Sequence, residues 1–77
     1  MDFSKSIYSE EYEHLVDRLK KAREDTGLTQ NEVGARLGVS QSFISKIESG
    51  QYRIDIVQLL RFARLYQKKL SFFVKQS

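Results

Sequence analysis

Between residues 30 and 47 the chain reads Gln30-Asn31-Glu32-Val33-Gly34-Ala35-Arg36-Leu37-Gly38-Val39-Ser40-Gln41-Ser42-Phe43-Ile44-Ser45-Lys46-Ile47, two short amphipathic stretches with a glycine between them. Val33 and Leu37 are the apolar positions of the first stretch, and Ile44 and Ile47 those of the second, at helical spacing. Gly38 and Val39 mark a corner, where the backbone needs a conformation that glycine adopts freely. Gly34 and Ala35 fall where two steeply crossing helices must approach closely. Glycine inside a helix costs about 1 kcal/mol relative to alanine, so Gly34 is read as a residue chosen for space.

Two short helices joined in this way form a helix-turn-helix, whose second helix lies in the major groove of DNA. Val33, Leu37, Val39, Ile44 and Ile47 are assigned to the core. Gln41, Ser42, Ser45 and Lys46 then remain exposed on the second helix. Their side chains suit base edges: glutamine can pair in bidentate fashion with adenine, and lysine can approach O6 and N7 of guanine. Phe43 has two readings, contact with a thymine methyl or packing beside the preceding helix.

The rest of the chain supplies helices around this unit. Tyr12, Leu15, Val16, Leu19 and Ala22 recur at three- and four-residue spacing, predicting a first helix from Ser9 to Thr26 that stops at Gly27. Thr29 and Glu32 form a capping box that opens the second helix, which ends at Gly38. Ser40 caps the third helix, predicted to end at Gly50. Asp55 and Gln58 form a second capping box, and helix four carries Ile56, Leu59, Leu60, Ala63 and Tyr66. Ser71 is predicted to cap a short fifth helix containing Phe72, Phe73 and Val74. No segment alternates as a strand does. The expectation is an all-α domain of five helices over residues 9–77, preceded by an arm at residues 1–8.

Composition narrows the function classes. A chain of 77 residues allows one domain with a thin core. It has no cysteine, which excludes disulfides and thiolate metal sites and fits a reducing cytoplasm. There is no long apolar run, so neither a membrane span nor a signal peptide is expected. The formal charge of +3 is unevenly placed: residues 1–25 sum to −2 and residues 26–77 to +5. A basic half that contains the suspected reading helix fits a polyanionic partner. His14 is the only histidine, and no serine or acid nearby recommends a triad. With no phosphate-binding glycine loop either, no enzyme, metal or cofactor is expected.

Three phrases in order, Gly27-Leu28-Thr29-Gln30, Leu37-Gly38-Val39-Ser40-Gln41-Ser42 and Ile44-Ser45-Lys46-Ile47-Glu48-Ser49-Gly50, resemble the Cro/CI-type (XRE-type) helix-turn-helix regulators of phages and bacteria. The likeness runs from about Leu15 to Phe73 and implies a lambda-repressor-like fold. It implies that Gln41, Ser42, Ser45 and Lys46 face bases. It also implies that Gln30, with Thr29 beside it, meets a phosphate, and that Ser40, Tyr52 and Arg53 flank the site on the DNA backbone. A partly buried bridge between Arg23 and Glu48 would brace the reading helix. The chain departs from the family pattern at Gly34, where alanine is usual, and at Ile54, where proline is frequent. A third departure is Gln67-Lys68-Lys69, which replaces a glycine-containing turn.

Leu70, Phe72, Phe73 and Val74 are more apolar surface than a short terminal helix needs, and they are candidates for a two-fold interface. Arg61, Arg64, Lys68 and Lys69 are read as solvated. The expected function is a cytoplasmic, bacterial or phage-encoded transcriptional repressor that binds an inverted-repeat operator as a homodimer. The alternative is an antitoxin-like module whose main partner is a protein, such as a toxin or a polymerase subunit.

Overall fold

A computed structural model describes residues 9–75, and all its regular elements are helical: α1 (Glu10–Thr26), α2 (Gln30–Leu37), α3 (Gln41–Glu48), α4 (Ile56–Tyr66) and a 3-10 turn at Leu70–Phe72. The arm at 1–8 and the last two residues lie outside the described residues. Side-chain caps open all four α-helices. The Ser9 hydroxyl accepts from the Tyr12 amide, and the Ser40 hydroxyl from the Phe43 amide. Both predicted capping boxes form, Thr29 with Glu32 and Asp55 with Gln58. Each satisfies amide groups that the helix itself leaves unpaired. The bonds from Thr29 also hold the Glu32 carboxyl below its ordinary pKa.

The expected five helices become four α-helices and a 3-10 turn among the described residues. Gly50 ends α3 as expected: beyond the cap at Ser49 it takes a left-handed φ of 81°, and the amides of Gly50 and Gln51 donate back to the Ile47 and Lys46 carbonyls at 3.1 and 2.9 Å. Ser71 caps nothing. The last apolar run is only a 3-10 turn, entered from Lys69 without a side-chain cap. α4 ends at Gln67, which takes the left-handed φ of 56° where the family pattern would supply glycine.

One core joins all elements: Leu19, Ala22, Val33, Ile44, Ile47, Leu59, Phe62, Ala63, Tyr66 and Phe73 are buried. Of the five positions expected on the inner face of α4, Leu59, Ala63 and Tyr66 are buried, while Ile56 and Leu60 are not and Phe62 joins the face instead. Leu59, Phe62, Ala63 and Tyr66 form the inward stripe, at the i, i+3, i+4, i+7 spacing of one helical face. Ile56, Val57 and Leu60 point outward and are 58%, 63% and 47% exposed. The predicted dimer set also divides. Phe73 is fully buried and therefore belongs to the core. Phe72 is half-buried beneath the Arg18 guanidinium, 3.8 Å from its ring centroid, and Arg18 also donates to the Phe72 carbonyl at 2.9 Å. Leu70 and Val74 stay exposed.

The crossing of α2 and α3 explains Gly34. A methyl group there would lie 2.6 Å from the Val39 carbonyl oxygen and 3.2 Å from the Ser40 carbonyl carbon. These are backbone atoms, which cannot swing aside as a side-chain tip can. Gly38 makes the corner with φ 75°. Gly34→Val is expected to destabilise the domain by about 1–3 kcal/mol through overpacking. Denaturant unfolding followed by circular dichroism would measure this, and unchanged stability would mean that the two helices do not approach so closely.

Candidate nucleic-acid interface

Gln41 and Ser42 stand exposed at the start of α3, while Ser45 and Lys46 are half-buried one turn further on. Capping places them. Ser40 closes the first turn of α3, and Ile44 and Ile47 bury the opposite face. Lys46 bends toward the loop after α3. Its ammonium is 3.3 Å from the Tyr52 hydroxyl and 5.1 Å from the Tyr52 ring centroid. Phe43 packs partly against the core, its ring 5.8 Å from that of Tyr52.

The N-terminal ends of α2 and α3 meet. Nε2 of Gln41 donates to Oε1 of Gln30 at 2.6 Å, and Nε2 of Gln30 donates to Oε1 of Glu48 at 3.1 Å. Glu48, whose side chain is 5% exposed, also takes two hydrogen bonds from Arg23, at 2.7 Å from Nε and 3.0 Å from Nη2. The bonds from Arg23 to Glu48 hold the arginine pKa above its ordinary value. The third arm of the guanidinium, Nη1, donates to the Leu28 carbonyl at 3.0 Å. Arg23 thus ties together the end of α1, the loop before α2 and the end of α3. Tyr66 lies in the core with its hydroxyl buried and without a hydrogen-bond partner. Burial, together with the Glu48 charge, pushes its phenol well above the ordinary tyrosine pKa, so it is neutral.

Tyr52 and Arg53 are exposed in the loop after α3. A residue read from sequence only as part of an apolar face holds this loop. The Tyr12 hydroxyl donates to the Tyr52 carbonyl at 3.2 Å and accepts from the Ile54 amide at 3.1 Å. The Arg53 guanidinium lies 5.0 Å from the Tyr12 ring centroid. The amphipathic pattern of α1 could place Tyr12 on the inner face, but nothing local pointed to a partner forty residues away. Arg61, read as solvated, donates to the Leu37 carbonyl at 3.1 Å at the end of α2. Thr29 and Ser40 are exposed, with their hydroxyls engaged as helix caps. Among the described residues there is no cluster of histidine and acidic side chains able to hold a metal, and no helix is long and apolar enough to cross a membrane.

The closely packed pair α2–α3, its glycine corner, and the polar face left open on α3 define a helix-turn-helix protein. The chain belongs to the helix-turn-helix domain family, whose model matches residues 14–68. It is 40% identical over 52 residues to y4dL of Sinorhizobium fredii, described as an uncharacterized HTH-type transcriptional regulator. That similarity takes in 68% of this chain and 26% of the relative, so the chain spans about a quarter of the relative's length. No solved structure matches the chain.

Proposed function

We propose that this protein is a sequence-specific DNA-binding regulator of the Cro/CI type with a lambda-repressor-like domain, acting as a repressor by binding alone and without catalysis or cofactor. The carrying observation is the presentation of Gln41 and Ser42 on a helix braced by Arg23 and Glu48. In this reading Gln41, Ser42, Ser45 and Lys46 approach base edges in the major groove. Thr29, Gln30, Ser40, Tyr52 and Arg53 face phosphates, aided by the adjoining positive ends of α2 and α3. Phosphate contacts supply much of the affinity and base contacts the specificity.

One eight-residue reading helix covers few base pairs, so the reading calls for two copies on an inverted repeat, with reading helices about 34 Å apart. Burial of Phe73 moves the favoured contact surface to the outward face of α4, Ile56, Val57 and Leu60, with Leu70 and Val74 as the remaining exposed tail residues. A monomer mass by light scattering at tens of micromolar, both free and on DNA, would overturn the dimer.

Selection of bound sites from a random double-stranded DNA pool tests the whole reading. It is expected to return a two-fold repeat whose affinity falls steeply with salt. Gln41→Ala should relax preference at one base pair of each half-site and weaken binding by about 1–3 kcal/mol. If that variant keeps both affinity and base preference, α3 is not the reading helix. Absence of DNA binding at low salt would favour the protein-interaction alternative.

A further inference from the structure

We propose that Glu48 is a specificity-determining positioning residue: its carboxylate fixes the direction of the Gln30 amide, and through it the donor–acceptor order that Gln41 presents outward. The inference rests on the DNA-reading role of Gln41 proposed above, and adds to it a residue that faces away from DNA.

An amide side chain has a donor end and an acceptor end of nearly equal shape, so packing alone orients it poorly. An ionised carboxylate only accepts. Glu48 holds both oxygens toward Arg23 and shares Oε1 with Gln30. Gln30 must therefore turn its NH2 group inward to Glu48 and its oxygen outward to α3. That oxygen meets the Gln41 amide at 2.6 Å, and only the Gln41 NH2 group can satisfy it. Gln41 spends one N–H there and keeps one N–H and its carbonyl oxygen for DNA. That pair, in fixed order, matches adenine, which offers N7 as acceptor and N6 as donor. Guanine, with acceptors at both N7 and O6, would leave the Gln41 oxygen facing another acceptor.

Arg23 makes the device directional. Its bonds to Glu48 and to the Leu28 carbonyl anchor the carboxylate to α1 and the following loop, so the first member of the chain is itself held in place. In Glu48→Gln, one of the two oxygens becomes an NH2 group. Arg23, a donor only, competes for the remaining oxygen, and the NH2 group is left toward Gln30. The Gln30 amide is then drawn to turn its oxygen inward and its NH2 group toward Gln41, the reverse of the wild-type order.

The test is selection from a random double-stranded DNA pool, followed by affinity measurements on the selected site and its single-base changes, for wild type, Gln41→Ala, Glu48→Gln and Gln30→Ala. Gln30→Ala leaves the Arg23–Glu48 pair intact, so it remains informative if Glu48→Gln folds poorly. The expected result is a loss of about tenfold in discrimination at the one base pair that Gln41→Ala also affects. Adding Gln30→Ala to Gln41→Ala should then change that base pair no further. A purely structural or phosphate role would weaken all sequences alike. The proposal is overturned if Gln41→Ala abolishes preference at a base pair while Glu48→Gln or Gln30→Ala leaves that preference sharp. If Gln41→Ala itself changes no preference, the reading role of Gln41 has failed and the relay falls with it.

Discussion

Arg23→Met is expected to destabilise the domain by about 3–5 kcal/mol, the usual consequence of leaving a buried charge without its partner. The side chains of Arg23 and Glu48 are 13% and 5% exposed, so solvent screens the pair little. The substitution keeps the apolar stem but leaves the Glu48 carboxylate with a single donor, the Gln30 amide. A domain of this size has roughly 4–12 kcal/mol in total, so the variant should be near or past the edge of folding at ambient temperature. Thermal and urea unfolding would measure the effect. The double variant Arg23→Met/Glu48→Leu should recover much of the loss, because it also removes the charge. Failure to recover would assign the loss to packing of the arginine stem.

Phe73→Ala should be about as damaging, at about 3–5 kcal/mol. Phe73 is fully buried, its ring centroid 5.2 Å from that of Phe72 in an edge-to-face pair. Truncation would open a cavity in the same core that holds Ile44 and Ile47. Val74→Ala, next in the chain and 45% exposed, should change stability by no more than about 0.5 kcal/mol. Urea unfolding of both variants makes the comparison. If Phe73→Ala kept its stability but lost self-association, the residue would belong to an interface.

The contrast between these residues shows where sequence patterns are informative. Caps are local, and Thr29, Ser40 and Asp55 were each legible from the few residues that follow them, whereas Ser9, read as the first helical residue, is the cap before it. The glycine corner was legible for the same reason. The inner face of α4 was legible in part: Leu59, Ala63 and Tyr66 are buried as expected, but Ile56 and Leu60 fit the apolar spacing as well as Phe62 does. Only the partners available to α4 decide between them. Phe72 and Phe73 read as surplus apolar surface for the same reason: no pattern says whether a short chain end folds inward. At the site, the exposed polar residues of α3 followed from amphipathicity. The pairing of Arg23 with Glu48 was expected only from resemblance. The contacts among Gln30, Gln41 and Glu48, and the grip of Tyr12 on the loop at Tyr52 and Ile54, depend on helix crossings that sequence spacing does not specify.

The burial of Phe73 also bears on biosynthesis. The entire proposed recognition surface, from Thr29 to Arg53, has been translated some twenty residues before Phe73. Yet Ile44 and Ile47, which seat α3, share their core with that phenylalanine and with α4. A nascent chain paused at residue 60 would carry every side chain proposed to touch DNA but would lack the packing that holds them in register. Domains fold as units, and here the unit closes only when residue 73 has cleared the ribosome. The seating of α3 therefore waits on residue 73, and a chain stopped short of it would carry the proposed contact residues without the packing that orders them.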